Sequence, residues 1–186
     1  LATTSLGAIW SSCSPDFGIK GVLDRFSQIS PKLIFITSAY SYNGKKISCL
    51  EKNDEIISKL SSIEKTVIVP FQDEESNMLL NDSILWDDFS SDDKEMKFEQ
   101  VSFEHPLYIM YSSGTTGLPK SIVHSVGGTL LQHMKELKLH VDLKKEDKIF
   151  YYTTCGWMMW NWLVSSLSIG STVILYDGNP FYPDGK

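Results

Sequence analysis

The feature that most constrains this chain is a loop of small residues that joins two short segments with strand character. Ser-Ser-Gly-Thr-Thr-Gly-Leu-Pro-Lys fills residues 112–120, between the alternating apolar run 107–111 and the β-branched pair Ile122 and Val123. Glycine lets a backbone approach a ligand closely, and hydroxyls, backbone N–H groups and a lysine charge all bind phosphate oxygens. The composition therefore predicts a phosphate-binding loop. Its contacts are assigned to Ser112, Ser113, Gly114, Thr115, Thr116, Gly117 and Lys120.

The Walker A loop is the nearest familiar motif, and the spacing does not fit it. In that motif a glycine stands immediately before the lysine, whereas Pro119 precedes Lys120 here and has no N–H to donate. A Walker loop also opens a helix directly, while residues 121–124 have the pattern of a short strand and helical spacing begins near Ser125. We therefore expect the loop to link two strands, and a P-loop NTPase is the disfavoured alternative.

Helical and strand patterns alternate along the first half of the chain. Residues 33–37 and 67–69 are continuous apolar runs of the kind found in strands covered on both faces, and residues 19–29 and 51–63 have helical spacing. Residues 72–100 are rich in acidic side chains and are expected to form a solvated surface excursion. This order predicts an α/β fold with a doubly wound sheet and helices on both of its faces.

The second half continues the same alternation. A helix beginning near Ser125 is expected to face the core, and a later helix over 157–167 is expected to end at Gly170. Strands are predicted over 147–153 and 172–176. The residues predicted for the inner face of the first of these helices are Leu130, Leu131, Met134 and Leu137.

Composition limits the kind of protein this can be. With 42% apolar residues among 186, the chain has enough apolar side chains for a core. A net charge of −6 argues against the general polyanion-binding surface of a nucleic-acid binder. No apolar run reaches the roughly 18 residues that a membrane span needs. Three cysteines without C-x-x-C spacing predict neither a disulfide framework nor a zinc site, so a reduced, cytoplasmic protein is expected.

The loop 112–120 resembles the phosphate-binding signature of the adenylate-forming enzymes, which include acyl-CoA synthetases, luciferases and the adenylation domains of peptide synthetases. Two flanking stretches, 5–18 and 153–165, narrow the resemblance to the acyl-CoA synthetases of short-chain acids. Because the resemblance spans nearly the whole chain, it implies that residues 1–186 are an internal part of the N-terminal, AMP-binding domain. The C-terminal domain of the family is expected to be absent from this stretch.

The resemblance also implies an activity. Such an enzyme is a ligase that uses ATP, Mg²⁺ and CoA, and it forms an acyl-AMP and pyrophosphate before passing the acyl group to the thiol of CoA. Thr115, Thr116 and Lys120 would act on the leaving phosphates, and no residue is assigned as a metal ligand. The expected acid is acetoacetate, with acetate, propionate, butyrate or a catalytically silent nucleotide-binding module as alternatives. Because the family's adenine, ribose and Mg²⁺ motifs are not found here, this stretch alone is expected to be inactive.

Large side chains crowd residues 156–162. One interpretation is a buried helix start, because methionine and tryptophan fill irregular cores well. By resemblance, Trp157, Met158 and Met159 instead wall the acyl pocket, and Asn161 would meet a 3-keto oxygen. For the four histidines, His105, His124, His133 and His140, a structural or solvated role is expected.

Overall fold

Short helices and strands alternate through the computed structural model, which describes residues 1–71, 80, 82–92, 95–113 and 117–183. The α-helices are α1 (Ala2–Ser5), α2 (Ile19–Phe26), α3 (Leu50–Ser58), α4 (Trp86–Phe89), α5 (Val126–Lys135) and α6 (Met158–Ser165). The strands are β1 (Leu33–Thr37), β2 (Ala39–Tyr42), β3 (Lys45–Ser48), β4 (Lys65–Val69), β5 (Ser83–Leu85), β6 (Pro106–Ser112), β7 (Lys120–Ser125), β8 (Lys148–Ile149) and β9 (Thr172–Val173). A π-helical segment, Glu136–His140, continues α5, and a 3-10 turn, Ser166–Ile169, continues α6.

These elements group into two units. The first contains Leu1–Ser14 and Glu95–Tyr176, and the second contains Pro15–Lys94 and Asp177–Lys186. Both strands that flank the predicted phosphate loop and the helix that carries the predicted acyl wall belong to the first unit. The predicted site can therefore be described within one unit. No helix among the described residues is long and apolar enough to cross a bilayer.

The second unit is built on parallel strands in the order β1-β4-β5. Leu33 pairs with Lys65 and Thr66 pairs with Ser83, and α3 lies in the connection from β1 to β4, as a parallel crossover requires. Both predicted strands, 33–37 and 67–69, are confirmed; Ile34 and Ile36 are buried in the first, and Val67 and Ile68 are buried in the second. The α/β class predicted from the sequence is confirmed, with the strands divided among four small sheets.

The acidic segment 72–100 is more than a solvated excursion. Its middle forms β5 and α4, and the rings of Trp86 and Phe89 lie 6.1 Å and 5.5 Å from the ring of Phe35 in edge contacts. Within this segment, residues 72–79, 81 and 93–94 lie outside the described residues. The acidic composition gave no sign of this strand, because β5 is held by pairing with β4 and the following α4 by aromatic contacts with Phe35 of β1.

An antiparallel hairpin, β6–β7, dominates the first unit. Tyr108 pairs with His124, Met110 with Ile122 and Ser112 with Lys120, so both strands predicted to flank the loop are confirmed. The chain passes directly from β7 into α5, where the Ser125 side chain caps the helix by accepting from the backbone N–H of Gly128 at 3.3 Å. The strand that follows the loop, and the helix that begins after it, are as the sequence predicted.

The inner face of α5 differs in part from the prediction. Leu137 is buried as predicted and Met134 is partly buried, but Leu130 and Leu131 are 51% and 63% exposed. The residues of α5 itself that are buried are Thr129 and His133. Spacing by four residues fits this polar stripe as well as an apolar one, so the helical pattern could not choose between them. The stripe that is buried is the one with Thr129 and His133, which lie next to Tyr108 of the hairpin and Ser165 of α6.

The apolar core of the first unit lies at the far end of α5. Four buried residues, Leu137, Leu143, Ile149 and Leu163, form it, and the partly buried side chains around it are Trp160, Trp162, Ile169 and Val173. The strands predicted over 147–153 and 172–176 shorten to two-residue β8 and β9, which pair in parallel. Gly170 ends the 3-10 turn in the left-handed conformation, at φ 87°, as predicted.

A substitution in this core should be costly. Leu137 has no exposed surface, so Leu137→Ala should lower the free energy of unfolding by about 2 to 5 kcal/mol through lost contacts and a cavity. The matched control is Leu139→Ala, two residues along and 76% exposed, which should cost less than about 0.5 kcal/mol. Urea denaturation followed by tryptophan fluorescence measures both, because Trp160 and Trp162 pack on the core. Equal losses in the two variants would contradict the assigned core.

Candidate nucleotide and acyl site

The predicted phosphate loop lies at the tip of the β6–β7 hairpin. Ser112 ends β6 and Lys120 begins β7, and the two residues pair directly across the hairpin. Ser113, Gly117 and Lys120 are exposed, and the space where a side chain would stand on Gly117 is open to 4 Å. The assignments to Gly114, Thr115 and Thr116 lie outside the described residues. The described part of the loop therefore offers hydroxyl, backbone and lysine donors with room around them.

Strand geometry decides which face of the hairpin carries these donors. Alternate residues of a strand share a face, so Ser112 lies on the same face as the buried Tyr108 and Met110. Residues that pair directly across antiparallel strands also share a face, which places Lys120 there as well. One face of the hairpin therefore carries the buried side chains of Tyr108 and Met110 and, at its tip, the hydroxyl of Ser112 and the amine of Lys120.

Helix α6, which carries the predicted acyl wall, contacts this same face. The side-chain nitrogen Nδ2 of Asn161 donates to the sulfur of Met110 at 3.0 Å. Because a thioether sulfur can only accept, the amide nitrogen and not the amide oxygen must face it. Met110 stands two residues before Ser112, so the structure brings the predicted acyl helix to the strand that leads into the phosphate loop.

The large side chains of residues 156–162 divide between two roles. Trp160 and Trp162 pack against the apolar core, which fits the interpretation as a buried helix start. Trp157, at the N-cap of α6, is 56% exposed and Met158 is 44% exposed, while Met159 is partly buried. Exposed apolar surface at a helix start is available to a ligand, and the acyl-wall role of Trp157 and Met158 stays a prediction.

The start of α6 is held close to the hairpin by the chain just before residue 15. Trp10 pairs with β6 through hydrogen bonds to Leu107 and Ile109, and Ser12 Oγ donates to the carbonyl of Cys155 at 2.5 Å. A side chain on Gly156 would meet the backbone nitrogen of Ser14 at 3.1 Å. Glycine at 156 therefore permits this close backbone approach, immediately before the acyl helix.

A buried polar cluster fills the space between the hairpin and α5. The rings of Tyr108 and His124 lie 5.2 Å apart, and burial lowers the pKa of His124. Burial also raises the pKa of Tyr108, an effect that the neighbouring Thr129 hydroxyl partly offsets. Neither the Tyr108 hydroxyl nor the Thr129 hydroxyl has a partner in hydrogen-bonding geometry among the described residues. This cluster favours neutral side chains and is costly to charge.

A second contact joins α5 to α6. His133 is 6% exposed, and its Nδ1 lies 2.8 Å from Ser165 Oγ, which in turn donates to the carbonyl of Asn161 at 2.9 Å. Burial is the main cause that lowers the pKa of His133; Glu136 opposes the change and His124 adds to it. Sequence spacing gave no partner for His133 because Ser165 is distant along the chain. Met110 and Ser165, and His133 through Ser165, are the partners of Asn161 that sequence reasoning missed.

The described residues contain no group of three or more His, Cys, Asp or Glu side chains that could hold a metal ion. The described loop residues, which are hydroxyls, backbone groups and a lysine, suit phosphate oxygens better than they suit a divalent cation. The donor set therefore fits the phosphates of a nucleotide, and any ion that accompanies them needs further ligands.

Comparison with known proteins shows which family the chain is similar to. The family model described as AMP-binding enzyme matches residues 1–186. The chain is 52% identical to an acetoacetyl-CoA synthetase of Danio rerio over its whole length and 51% identical to an acetoacetyl-coenzyme A synthetase of Rhizobium meliloti, and it spans 29% of each. A solved structure of an acetoacetyl-CoA synthetase from Streptomyces lividans covers 98% of the chain with a TM-score of 0.92 and 44% identity, and the chain covers 28% of it.

The buried His133 and the partly buried His124 give stability a pH dependence. Because burial lowers the pKa of His124 and His133 below 6.5, the unfolded chain binds protons that the folded protein excludes. The free energy of unfolding should be at its full value above about pH 6.5 and should decrease as the pH falls from there through the folded-state pKa values. Urea midpoints of the full-length protein at pH 7.5 and 5.5 measure this decrease.

His133→Asn should make the decrease smaller, because it removes one of the two imidazoles whose pKa burial lowers, while keeping an amide donor. His140→Asn, which removes an exposed histidine from the π-helical segment that follows, is the matched control. The same decrease in the wild type and in His133→Asn would show that His133 does not contribute.

Proposed function

The chain belongs to the AMP-binding enzyme family, and from this membership we propose that its full-length protein is an ATP-dependent ligase that activates acetoacetate and transfers it to CoA. Seven relatives from vertebrates and a bacterium that match at least 98% of the chain carry the name acetoacetyl-CoA or acetoacetyl-coenzyme A synthetase, and one from Penicillium aethiopicum carries the name malonamoyl-CoA synthetase. The observation that carries the proposal is that the lysine of the phosphate loop and the helix of the acyl wall meet one face of a single hairpin.

The first half-reaction requires the acid to attack the α-phosphate of ATP. The oxygen of the acid carboxylate forms a bond to phosphorus, the bond from phosphorus to the bridging oxygen of pyrophosphate breaks, and pyrophosphate leaves with its charge. Donors that hold the leaving phosphates orient them and spread this charge. In the proposal, Ser112, Ser113, Gly117 and Lys120 bind those phosphates together with Gly114, Thr115 and Thr116, and the catalytic contacts come from Thr115, Thr116 and Lys120.

The acyl chain of the acid is assigned to the wall formed by Trp157, Met158 and Met159. Methionine side chains are flexible, which suits a cavity longer than acetate needs. Asn161 is assigned to the 3-keto oxygen. An amide nitrogen carries two N–H groups, so one can donate to Met110 and the second can donate to the substrate. A keto oxygen can only accept, and it therefore suits this donor.

Three parts of the proposal rest on the family. Mg²⁺ would accompany ATP, and the described residues give no basis for a step that this chain performs on the ion. CoA would accept the acyl group in the second half-reaction, at residues we leave unassigned. Residues 1–186 would form part of an N-terminal AMP-binding domain, to which a C-terminal domain adds. A cytoplasmic location is part of the proposal, because Cys13, Cys49 and Cys155 form no disulfide.

A synthetase for acetate, propionate or butyrate is the alternative that the same loop supports, because the phosphate contacts do not depend on the acid. Strand β7 argues against a P-loop NTPase, because Lys120 begins a strand, whereas the lysine of a Walker A loop lies at the start of a helix. The two synthetase assignments differ only in what the acyl helix recognises.

Removal of the loop lysine should slow adenylation. Lys120→Met in the full-length protein keeps the length of the side chain and removes its charge, so a charge-assisted contact worth about 1.5 to 3 kcal/mol is lost. The single-turnover rate of acyl-adenylate formation should fall roughly ten- to hundredfold. Lys138→Met, at an exposed position of the π-helical segment, is the matched control. An unchanged rate in Lys120→Met would remove Lys120 from the mechanism.

The choice of acid should depend on the keto oxygen. A site that donates a hydrogen bond to a substrate oxygen rejects the analogue without it more strongly than an apolar pocket rejects a missing methylene, which is worth about 1 to 3 kcal/mol. The ratio of kcat/KM for acetoacetate over butyrate should therefore exceed the ratio for butyrate over propionate. ATP–pyrophosphate exchange with acetate, propionate, butyrate, acetoacetate and 3-hydroxybutyrate measures these ratios.

Asn161→Leu should abolish most of the preference for acetoacetate, because leucine has similar volume and no donor. Met158→Leu changes the wall and keeps the amide, so it should retain the preference. Equal use of butyrate and acetoacetate by the wild type would leave a general short-chain synthetase. Absence of exchange with all five acids would count against the enzymatic assignment itself.

A further inference from the structure

Side chains on α6 and on the 3-10 turn after it attach this helix to the rest of its unit, and most of them have no assigned role in the reaction. Asn161 and Ser165 lie four residues apart and therefore on one face of α6. Asn161 contacts Met110 of β6, and Ser165 contacts His133 of α5. A third contact, from Ser168 Oγ to the sulfur of Met134 at 2.9 Å, follows on the 3-10 turn. The face of α6 that carries Asn161 thus contacts both β6 and α5.

The direction of the hydrogen bonds in this contact can be deduced. Ser165 Oγ lies 2.9 Å from the carbonyl oxygen of Asn161, and a carbonyl can only accept, so the single hydroxyl proton of Ser165 points to that carbonyl. The hydroxyl oxygen must then accept from His133, whose Nδ1 is 2.8 Å away. The imidazole is therefore protonated at Nδ1, and the neutral ring keeps an unprotonated Nε2. The lowered pKa of His133, caused mainly by burial, favours this neutral form.

The position of α6 matters because two parts of the reaction meet there. The acid carboxylate has to lie about 3 to 3.5 Å from the α-phosphate, and a displacement of about 1 Å costs roughly a hundredfold in rate. The loop that would hold the phosphates opens at Ser112 and closes at Lys120, and α5 follows directly after β7. A contact between α5 and α6 therefore fixes the acyl wall relative to the strand that leaves the phosphate loop.

We propose that His133 and Ser165 are positioning residues for substrate choice: the Nδ1–H of His133, acting through the Ser165 hydroxyl, holds the turn of α6 that presents Asn161 to the acid. This assignment rests on the proposed function. His133 touches neither substrate nor phosphate, and its effect is to hold Asn161 so that the second N–H of that amide points to the acyl group. Loss of the donor at Nδ1 loosens this turn while the phosphate loop keeps its own contacts.

Three substitutions at His133 separate the hydrogen bond from simple volume. The amide nitrogen of His133→Asn stands near the position of Nδ1, that of His133→Gln reaches toward the position of Nε2, and His133→Leu has no donor. ATP–pyrophosphate exchange of the full-length protein is measured with acetoacetate and butyrate, together with the KM for ATP. Because the ratio of kcat/KM for the two acids is taken on one sample, the fraction of folded protein cancels from it.

The expected result is a pattern, not a uniform loss. His133→Leu and His133→Gln should lower the acetoacetate over butyrate ratio about tenfold, the effect of losing one neutral hydrogen bond, while the KM for ATP changes less than about twofold. His133→Asn should keep the wild-type ratio within about threefold. Ser165→Ala and Ser165→Thr form a second pair that does not depend on the stability of the His133 variants: alanine should lose the ratio and threonine should retain it.

Two kinds of outcome would overturn the assignment, and the experiment distinguishes them. Equal ratios in His133→Asn, His133→Leu and wild type, or equal ratios in Ser165→Ala and Ser165→Thr, would overturn the positioning role alone and leave the proposed function intact. A wild-type protein that exchanges with neither acid, or that uses both equally, would overturn the proposed keto recognition and the positioning role together.

Discussion

The pairing of β6 with β7 is the interaction on which the rest of the first unit depends. It brings Ser112 and Lys120 side by side at the tip, and it puts the buried Tyr108 and Met110 on the face that α6 contacts. Antiparallel pairing has a side-chain period of two, so a slip of one residue would turn this face away from the helix. Register in the hairpin thus fixes both the side chains at its tip, where we propose that phosphates bind, and the strand face that α6 contacts.

Polar groups are buried behind the candidate site, and they explain the orientation of α5. A stripe with Thr129 and His133 is costly to bury unless its groups are paired, and His133 finds Ser165 for this purpose. The leucines of the neighbouring stripe, Leu130 and Leu131, are exposed instead. The helix therefore gives up some apolar burial in exchange for a directional contact to α6. Directional contacts of this kind specify one relative position of two helices, which apolar packing alone specifies less sharply.

In the proposed reaction, the loop stabilises charge on the leaving group, and the acyl wall recognises the shape of the acid. The loop supplies donors for a leaving group whose charge is the same for every acid, while the wall and Asn161 distinguish one acid from another. These parts belong to one unit and are joined by side-chain contacts from α6 to β6 and α5. Specificity in such an arrangement is a property of how the acyl helix is held as well as of the residues that touch the acid.

Local sequence determined those elements whose residue pattern is compatible with only one backbone structure. The two strands around the loop, the start of a helix near Ser125 and the stop at Gly170 follow from residue types with strong backbone preferences, and the structure confirms them, with Ser112 and Lys120 added to the strands. The same patterns admitted several solutions for the inner face of α5, for the extent of β8 and β9, and for the partner of His133. Tertiary packing decided these, because helical spacing offers more than one stripe, short parallel strands depend on a distant partner, and a hydrogen bond between His133 and Ser165 joins residues that no local periodicity connects.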